Sequence, residues 1–265
     1  MSKTLISVAI LTHNEEKNIK ACLESVKGLV SQIIVVDSYS TDKTLEIARL
    51  YGAETYKHKF ENQAQQFNWA LDTLEIKGDW ILKLDADEYL TPELAEEIQN
   101  TLQSISETIT GFLIKRRVYF MGRWMRYGGY YPIWFLRLWR KGKARSEERK
   151  MDEHIILLEG KEARLQYDFV DDNQKGLQDW IQKHKKYAVR EAEEIRMGNI
   201  GEGNKRKLYY ALPPFARVIV YFLYRYFFQL GFLDGVQGVL FHFLHGFWYR
   251  WFVDYEIYKL KRISN

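Results

Sequence analysis

The chain is expected to be an α/β protein, a mainly parallel sheet followed by an aromatic-rich helical tail that associates with membranes. Three observations predict this. Short apolar runs alternate with helical patterns through the first hundred or so residues, and that alternation builds parallel sheets with right-handed crossovers. Polar clusters close three of the apolar runs, at the carboxyl ends where open parallel sheets bind their ligands. Aromatic residues, 15% of the 265, crowd into roughly the last sixty.

The strand-like runs are Leu5–Leu11, Gln32–Val36, Ala53–Lys57 and Asp79–Leu84. Between them Glu15–Lys27, Asp42–Tyr51 and Asn62–Leu74 carry apolar residues at helical spacing. Gly28 follows the first helix, where a C-terminus favours glycine. Thr91-Pro92-Glu93 combines an N-cap with a first-turn proline and opens a helix through Leu94, Ile98 and Leu102. From Thr110 to about Phe169 the pieces are short, aromatic and strand-like, with basic residues between them and turns at Gly128-Gly129 and Gly142. A helix from Gly176 to about Met197 follows, its apolar face running through Trp180, Ile181, Tyr187, Ala188 and Ala192, and Gly198 to Gly203 breaks it.

The tail from Leu208 to Tyr258 is dense in Phe, Tyr, Trp and Leu, interrupted by Pro213-Pro214 and several glycines. Its longest uncharged run, Gly235 to Tyr249, is fifteen residues. A spanning helix needs roughly 20. With Arg217, Arg225, Arg250, Lys259, Lys261 and Arg262 flanking the aromatics, the pattern suits helices lying in a membrane interface. A hydrophobic subdomain or a homo-oligomer interface is the alternative.

At this length a full core can be buried. Cys22 is the one cysteine, so no internal disulfide forms; it shares a helical face with Ile19, Leu23 and Val26 and reads as a small buried hydrophobe. The first apolar stretch is too short for a signal peptide and reads as a strand. Net charge is +4, but Lys115 to Lys150 holds twelve Lys or Arg against two acids. That imbalance favours an anionic partner, a phosphorylated glycolipid or membrane headgroups. No nucleic-acid-binding motif accompanies it, so nucleic acid is not an expected partner.

The chemistry lies at the strand ends. Asp85-Ala86-Asp87-Glu88 closes the fourth strand, and two carboxylates one residue apart can share a divalent cation, which prefers hard oxygen ligands. The first strand ends in Thr12-His13-Asn14-Glu15 and the second in Asp37-Ser38-Tyr39-Ser40-Thr41-Asp42, groups suited to a base edge and ribose hydroxyls. No G-x-G-x-x-G follows the first strand, which argues against a nicotinamide or flavin site, and no G-x-x-x-x-G-K-[ST] occurs, which excludes P-loop chemistry. A diphosphate without a glycine cradle needs its charge met by a cation, and Asp85 with Asp87 offers the place for one.

Over roughly residues 5 to 200 the chain resembles the family 2 glycosyltransferases, inverting enzymes of the GT-A fold. The resemblance is carried by Val8-Ala9-Ile10-Leu11-Thr12-His13-Asn14-Glu15-Glu16, Ile34-Val35-Val36-Asp37-Ser38, Gln66-Phe67-Asn68-Trp69-Ala70-Leu71 and Leu82-Lys83-Leu84-Asp85-Ala86-Asp87-Glu88. The branch it looks most like holds bacterial lipopolysaccharide-core and exopolysaccharide glycosyltransferases, whose tails end in an aromatic run like Phe247-Trp248-Tyr249-Arg250.

The resemblance implies a nucleotide-binding half over 1–105 and an acceptor half over 106–200, together one GT-A domain, with 201–265 as the membrane-associated tail. It implies that Thr12, Asn14 and Glu15 line the nucleoside pocket, that Asp37 holds base or ribose, and that Gln66 and Asn68 support the nucleotide. Asp85 would lie near ribose and metal, with Asp87 as the direct ligand to Mg²⁺ or Mn²⁺. His13 would only shape the turn. A sugar hydroxyl is a poor nucleophile at neutral pH, so a carboxylate must take its proton. Met151-Asp152-Glu153-His154-Ile155 resembles the family's base motif, with Glu153 the better match and Asp152 second. The Trp-x-x-Lys-His pattern of this branch would set Lys183 and His184 near the diphosphate or acceptor, although His184 also shares an apolar helical face with Trp180 and Tyr187.

The expected reaction is inverting transfer of a sugar from a nucleotide diphosphate sugar to an anionic glycolipid or polysaccharide, on the cytoplasmic face of the plasma membrane. Two other readings stay open: a sugar nucleotidyltransferase, which should carry a glycine-rich phosphate loop where Thr12–Glu15 stands, and a non-catalytic protein binding at a membrane surface.

Overall fold

The computed structural model describes residues 5–147, 154–198 and 204–263. Two compact units emerge: Met1–Val118 with Pro132–Gln174, and Tyr119–Tyr131 with Lys175–Asn265. The division after Gln174 leaves the long helix expected over Gly176–Met197 in the second unit.

In the first unit the chain runs β1 (Ile6–Thr12), α1 (Ile19–Val26), β2 (Gln32–Asp37), α2 (Thr44–Leu50), β3 (Glu54–Lys57), α3 (Gln63–Thr73), β4 (Trp80–Asp85), β5 (Glu88–Leu90) and α4 (Pro92–Thr101). Then come β6 (Ile109–Phe120), β7 (Arg123–Met125), β8 (Trp134–Arg140), β9 (Ala144–Ser146), β10 (Ile155–Leu157) and β11 (Lys161–Asp171). β6 ends, and β7 lies, in the second unit. The main sheet has the order β3-β2-β1-β4-β8-β6-β11-β5. β3, β2, β1 and β4 are parallel, β8 runs antiparallel to both β4 and β6, and β5 is antiparallel to β11. The expected mixed α/β architecture with a parallel nucleus is therefore present.

Why β1 is central follows from its residues. Every side chain of Ile-Ser-Val-Ala-Ile-Leu-Thr is buried, because helices cover both faces, and strands covered on both faces read as continuous apolar runs. Period-two alternation sorts them. Val8, Ile10, Leu82 and Leu84 join α1, α2 and α4 in one core, with Ile19, Cys22, Leu23 and Val26 of α1 against them. Ala9, Leu11, Ile34, Val36 and Ile81 meet Phe67 and Ala70 of α3 in the other.

Local signals set the helix starts. Thr91 Oγ1 accepts from Leu94 N at 3.2 Å and Pro92 opens α4, while Asn62 Oδ1 accepts from Gln65 N at 2.8 Å to open α3. Gly78 allows a close approach of chains before β4. A Cβ there would sit 2.4 Å from Ser7 N, a backbone atom that cannot yield.

The region after Thr110 departs from the short pieces its composition suggests. β6 is twelve residues long and β11 eleven. The charges that look like interruptions in β6 are cross-strand partners. Lys115 stands opposite Asp168 in register, 3.4 Å apart; Arg117 reaches the same carboxylate at 2.6 Å and Arg116 reaches Asp171 at 3.4 Å. Opposite charges facing across a ladder stabilise it rather than break it.

In the second unit α5 (Leu177–Arg196) lies against α9 (Tyr249–Ile263), with Ala188, Tyr249 and Val253 at the centre. Arg250 of α9 pairs with Glu191 of α5 at 2.8 Å, and a second, buried pair joins Arg217 to Asp254 of α9. α6 (Asn204–Ala211), α7 (Ala216–Leu223) and α8 (Gly235–His242) complete it, with single π-helical stretches at Tyr224–Phe228 and Phe243–Trp248. The tail is helical, as its composition predicts.

Candidate functional site

The carboxyl ends of β1, β2 and β4 lie side by side. Thr12 pairs in register with Asp37, and Leu11, one residue earlier, with Asp85. Residues 25 and 73 positions from Thr12 along the chain thus end on one sheet edge.

The β1 and β2 ends are knitted together. Thr12 Oγ1 donates to Asp37 Oδ1 at 3.0 Å, Ser40 N donates to Asp37 Oδ2 at 2.8 Å, and the Ser40 hydroxyl also bonds this carboxylate. Asp37 has no exposed surface; it anchors the β2–α2 loop from below. Asn14 adopts φ of 54°, a left-handed conformation that Asn tolerates better than most residues. That turn lets Asn14 N donate to Ser40 Oγ at 2.7 Å while its Oδ1 accepts from Thr41 N at 2.8 Å. Glu15 N donates to Thr44 Oγ1 at 2.7 Å, and its carboxylate accepts from Asn18. His13 Nδ1 bonds Ser38 O at 2.9 Å, a role in the turn.

From α3, Gln66 reaches Ser38 Oγ at 2.8 Å, so it braces the same rim. Asn68 turns elsewhere. Its amide donates to Ser146 O and accepts from Ser146 N, both at 2.9 Å, which ties α3 to β9.

The β4 end carries a buried charge network. Asp85 lies 3.2 Å from Lys83 and 3.6 Å from Arg137. Glu88 meets Arg137 at 2.5 Å and folds back to accept from Asp85 N at 2.9 Å, closing the turn. Burial pushes the Glu88 carboxyl up, and the Arg137 guanidinium beside it pulls it back. Burial, then the three nearby carboxylates, hold the Cys22 thiol well above its ordinary range, so it is no nucleophile.

Asp87 accepts from Asn173 Nδ2 at 2.8 Å, and its backbone oxygen accepts from Asp172 N at 3.0 Å. Burial first, and the Asp87 charge after it, raise the Asp172 carboxyl. This is a surplus of negative charge, and its chemistry fits a hard divalent cation. Among the described residues no three His, Cys, Asp or Glu side chains form a ligand cluster. Mg²⁺ ordinarily takes one or two carboxylates and completes its shell with substrate phosphates and water.

A cavity of about 270 Å³ opens beside this turn, lined by Lys83, Asp85, Arg116, Arg137, Ser146 and His154 among others. Arg116 Nε and Arg137 Nε are buried there with no hydrogen-bond partner. Unpaired buried donors are costly unless a ligand satisfies them. Asp152 and Glu153 lie outside the described residues. Their flanks are described: Glu147 N donates to His154 O at 2.8 Å, and Ser146 pairs with Ile155 across β9 and β10. Glu153 therefore directly precedes, in sequence, a residue that lines the Asp85 cavity.

Lys183 and His184 belong to the second unit. His184 stacks on Trp180 with ring centroids 3.5 Å apart, edge-on to His245 and Tyr249, and its Nδ1 lies 2.8 Å from Trp180 O. A carbonyl only accepts, so Nδ1 carries the proton and Nε2 is the free lone pair. Burial holds this imidazole neutral, lowering it to about 4. The unfolded chain takes up a proton near 6.5 and the folded one does not until about 4, so stability falls as pH drops between those values. The loss is on the order of 3 kcal/mol at acid pH. Trp180 fluorescence during acidification should report this, and His184→Gln should flatten the dependence.

Sequence reasoning missed Arg137, Lys83, Glu88 and Asn173. A signal existed for two of them. Lys83 stands between Leu82 and Leu84, and Arg137 between Leu136 and Leu138. A lone cation inside an apolar strand must find a buried partner.

A family model described as Glycosyl transferase family 2 matches residues 7–156. LpsC, a lipopolysaccharide core biosynthesis glycosyltransferase of Rhizobium meliloti (strain 1021), is 28% identical over 263 residues, 91% of this chain and 90% of its own length. An uncharacterized glycosyltransferase of Rickettsia bellii (strain RML369-C) is 44% identical over 94 residues, 36% of this chain and 31% of its own. The match thus spans about a third of the length of that relative. Among solved structures, residues 1–349 of TarS from S. aureus in complex with UDP-GlcNAc align with a TM-score of 0.47 at 18% identity, over 70% of this chain and 66% of that one. Glucosyl-3-phosphoglycerate synthase from Mycobacterium tuberculosis aligns with a TM-score of 0.35 at 26% identity, over 44% of each chain.

Proposed function

Because the chain belongs to glycosyl transferase family 2, we propose that it moves a sugar from a nucleoside diphosphate sugar to a hydroxyl of a lipid-linked or lipopolysaccharide glycan, inverting the anomeric centre. One observation carries this reading. A single cavity is lined by Asp85 at the β4 end, by two arginines with unsatisfied buried N–H donors, and by His154, which follows Glu153. Such a cavity offers cations for a diphosphate, and the carboxylate we assign as base is next in sequence to one of its lining residues.

In this mechanism the Glu153 carboxylate takes the acceptor's O–H proton, with Asp152 as the second candidate. The acceptor oxygen forms a bond to the anomeric carbon as the bond to the diphosphate oxygen breaks, and the nucleoside diphosphate leaves with the electron pair. Thr12, Asn14, Glu15 and the Asp37 loop hold the nucleoside, with Gln66 bracing that loop. Asp87 and Asp85 would hold Mg²⁺ or Mn²⁺, which when bound neutralises charge on the leaving diphosphate. Arg116 and Arg137 donate towards the diphosphate or an acceptor phosphate, and the rest of the catalytic effect is orientation and preorganised charge. Lys183 and His184 remain candidates for the acceptor side.

The likeness to LpsC over 91% of the chain supports an anionic glycolipid as acceptor. From such an acceptor we infer a peripheral protein working at the inner face of the plasma membrane. The test is a panel of nucleotide sugars with and without Mn²⁺, following release of nucleoside diphosphate in the absence of acceptor. One donor is expected to hydrolyse slowly in a metal-dependent way. No metal-dependent binding of any nucleoside diphosphate by calorimetry would refute the reading, and pyrophosphate release from a nucleoside triphosphate and a sugar phosphate would replace it with nucleotidyl transfer.

A further inference from the structure

The apolar surface of the second unit is concentrated at one place. Between Arg217 and Arg250 the sequence holds only two formal charges, Arg225 and Asp234. Both are turned inward. Asp234 is 2% exposed and accepts from Arg126 N, Tyr127 N and His242. Arg225 donates to Gly128 O and to Tyr221 Oη at 2.6 Å, and lies over the Tyr130 ring. What faces outward instead is hydrocarbon: Phe228 is 80% exposed and Val236 83%, with Phe227, Leu230, Phe232 and Leu233 exposed between and beside them. A soluble surface does not ordinarily hide its charges and present its largest apolar side chains.

These residues sit at an elbow. Ala216–Phe228 and Gly231–Arg262 meet at a break bent by 68°, and the pair has the length and composition of a broken or re-entrant membrane segment. Among the described residues no single helix is long and apolar enough to cross a membrane. Beside the elbow, Val220 and Tyr224 form part of an open apolar cavity of about 500 Å³, further walled by Leu208, Tyr209 and Leu212. Away from the elbow the charge reverses in character. The second unit holds seventeen Lys and Arg against eight Asp and Glu, and Lys259, Lys261 and Arg262 lie exposed at the far end of α9.

We propose that the elbow centred on Phe228 and Val236 buries into the acyl region of one leaflet of a bilayer, without crossing it, while the basic residues beyond it contact anionic headgroups. An uncharged apolar apex with a cationic surround is the arrangement that a negatively charged lipid surface complements. A second copy of this chain would have to match the apex without meeting the surplus positive charge, which repels its own kind. From the proposed function this inference takes only that the acceptor is membrane-held, and it is tested without donor or acceptor.

The experiment floats the full-length protein with vesicles of phosphatidylcholine, with and without phosphatidylglycerol. Binding is expected on the anionic vesicles, weakening with salt. F228D with V236D should cut the bound fraction by about tenfold or more. Circular dichroism and acceptor-free donor hydrolysis should be unchanged, because both side chains point into solvent. A fluorophore on F228C in a C22A background should be quenched by lipids spin-labelled along the acyl chain, and one on K261C should not. Equal binding of the double variant and the parent, equal binding to both vesicle types, or an F228D effect seen only as loss of a dimer in vesicle-free solution would each overturn the proposal. Failure of donor hydrolysis in the parent would sink the glycosyl-transfer reading alone.

Discussion

Replacing Glu153 with glutamine is expected to lower sugar transfer by about 10² to 10⁴-fold, the range a positioned general base supplies, while donor binding stays near its parent value. Replacing Asp87 with alanine should act differently. It removes one carboxylate of the pair at the β4 end, so metal-dependent binding of the nucleoside diphosphate should weaken along with turnover. The contrast between the two variants is the informative result. Loss of turnover with intact calorimetric binding assigns Glu153 to proton transfer; loss of both assigns Asp87 to the donor's leaving group. If Glu153→Gln transfers normally and Asp152→Asn does not, the base is Asp152. If Asp87→Ala binds donor as the parent does, the charge surplus beside Asp172 serves only the fold.

The largest effect on stability should come from Arg137. It is 6% exposed, bonds Glu88 at 2.5 Å, and Glu88 itself is 2% exposed. Arg137→Met leaves a buried carboxylate without its cation, a change that costs about 3–5 kcal/mol and should lower the melting midpoint by roughly 10 °C for a unit of this size. Burial already raises the Glu88 carboxyl to about 8 beside Arg137, and without the guanidinium it rises further, so the destabilisation should grow as pH climbs past about 8. Arg137→Met with Glu88→Leu should recover much of the loss, since neither charge is then stranded. A single variant as stable as the parent across pH would show that the pair contributes nothing to the fold.

Much of the first unit was legible because its signals are local. The four runs from Leu5 to Leu84 became β1 to β4 with ends shifted by one residue, because wholly apolar runs between helical patterns admit few other arrangements. The cap at Thr91 and the break after Lys27 were legible for the same reason. Asn68 shows the limit. Its neighbours Gln66 and Phe67 gave it a place in a motif, but only the register of β9 beside α3 delivers the Ser146 backbone to its amide.

Sequence by itself determined the alternation of strand and helix, the three polar strand ends, and the aromatic composition of the tail. Each is a property of neighbours along the chain, and period, capping and hydropathy act at that range. Tertiary structure alone decided where charge is neutralised. The twelve-to-two excess over Lys115–Lys150 meets acids brought from elsewhere: Asp168 and Asp171 on β11, Glu88 after β4, and Asp72 on α3. Conversely, the stretch from Val218 to Tyr249 turns its two charges inward and leaves Phe227, Phe228, Phe232 and Phe243 exposed. Which side chains meet water depends on partners distant in sequence, because Coulomb attraction and desolvation act through space.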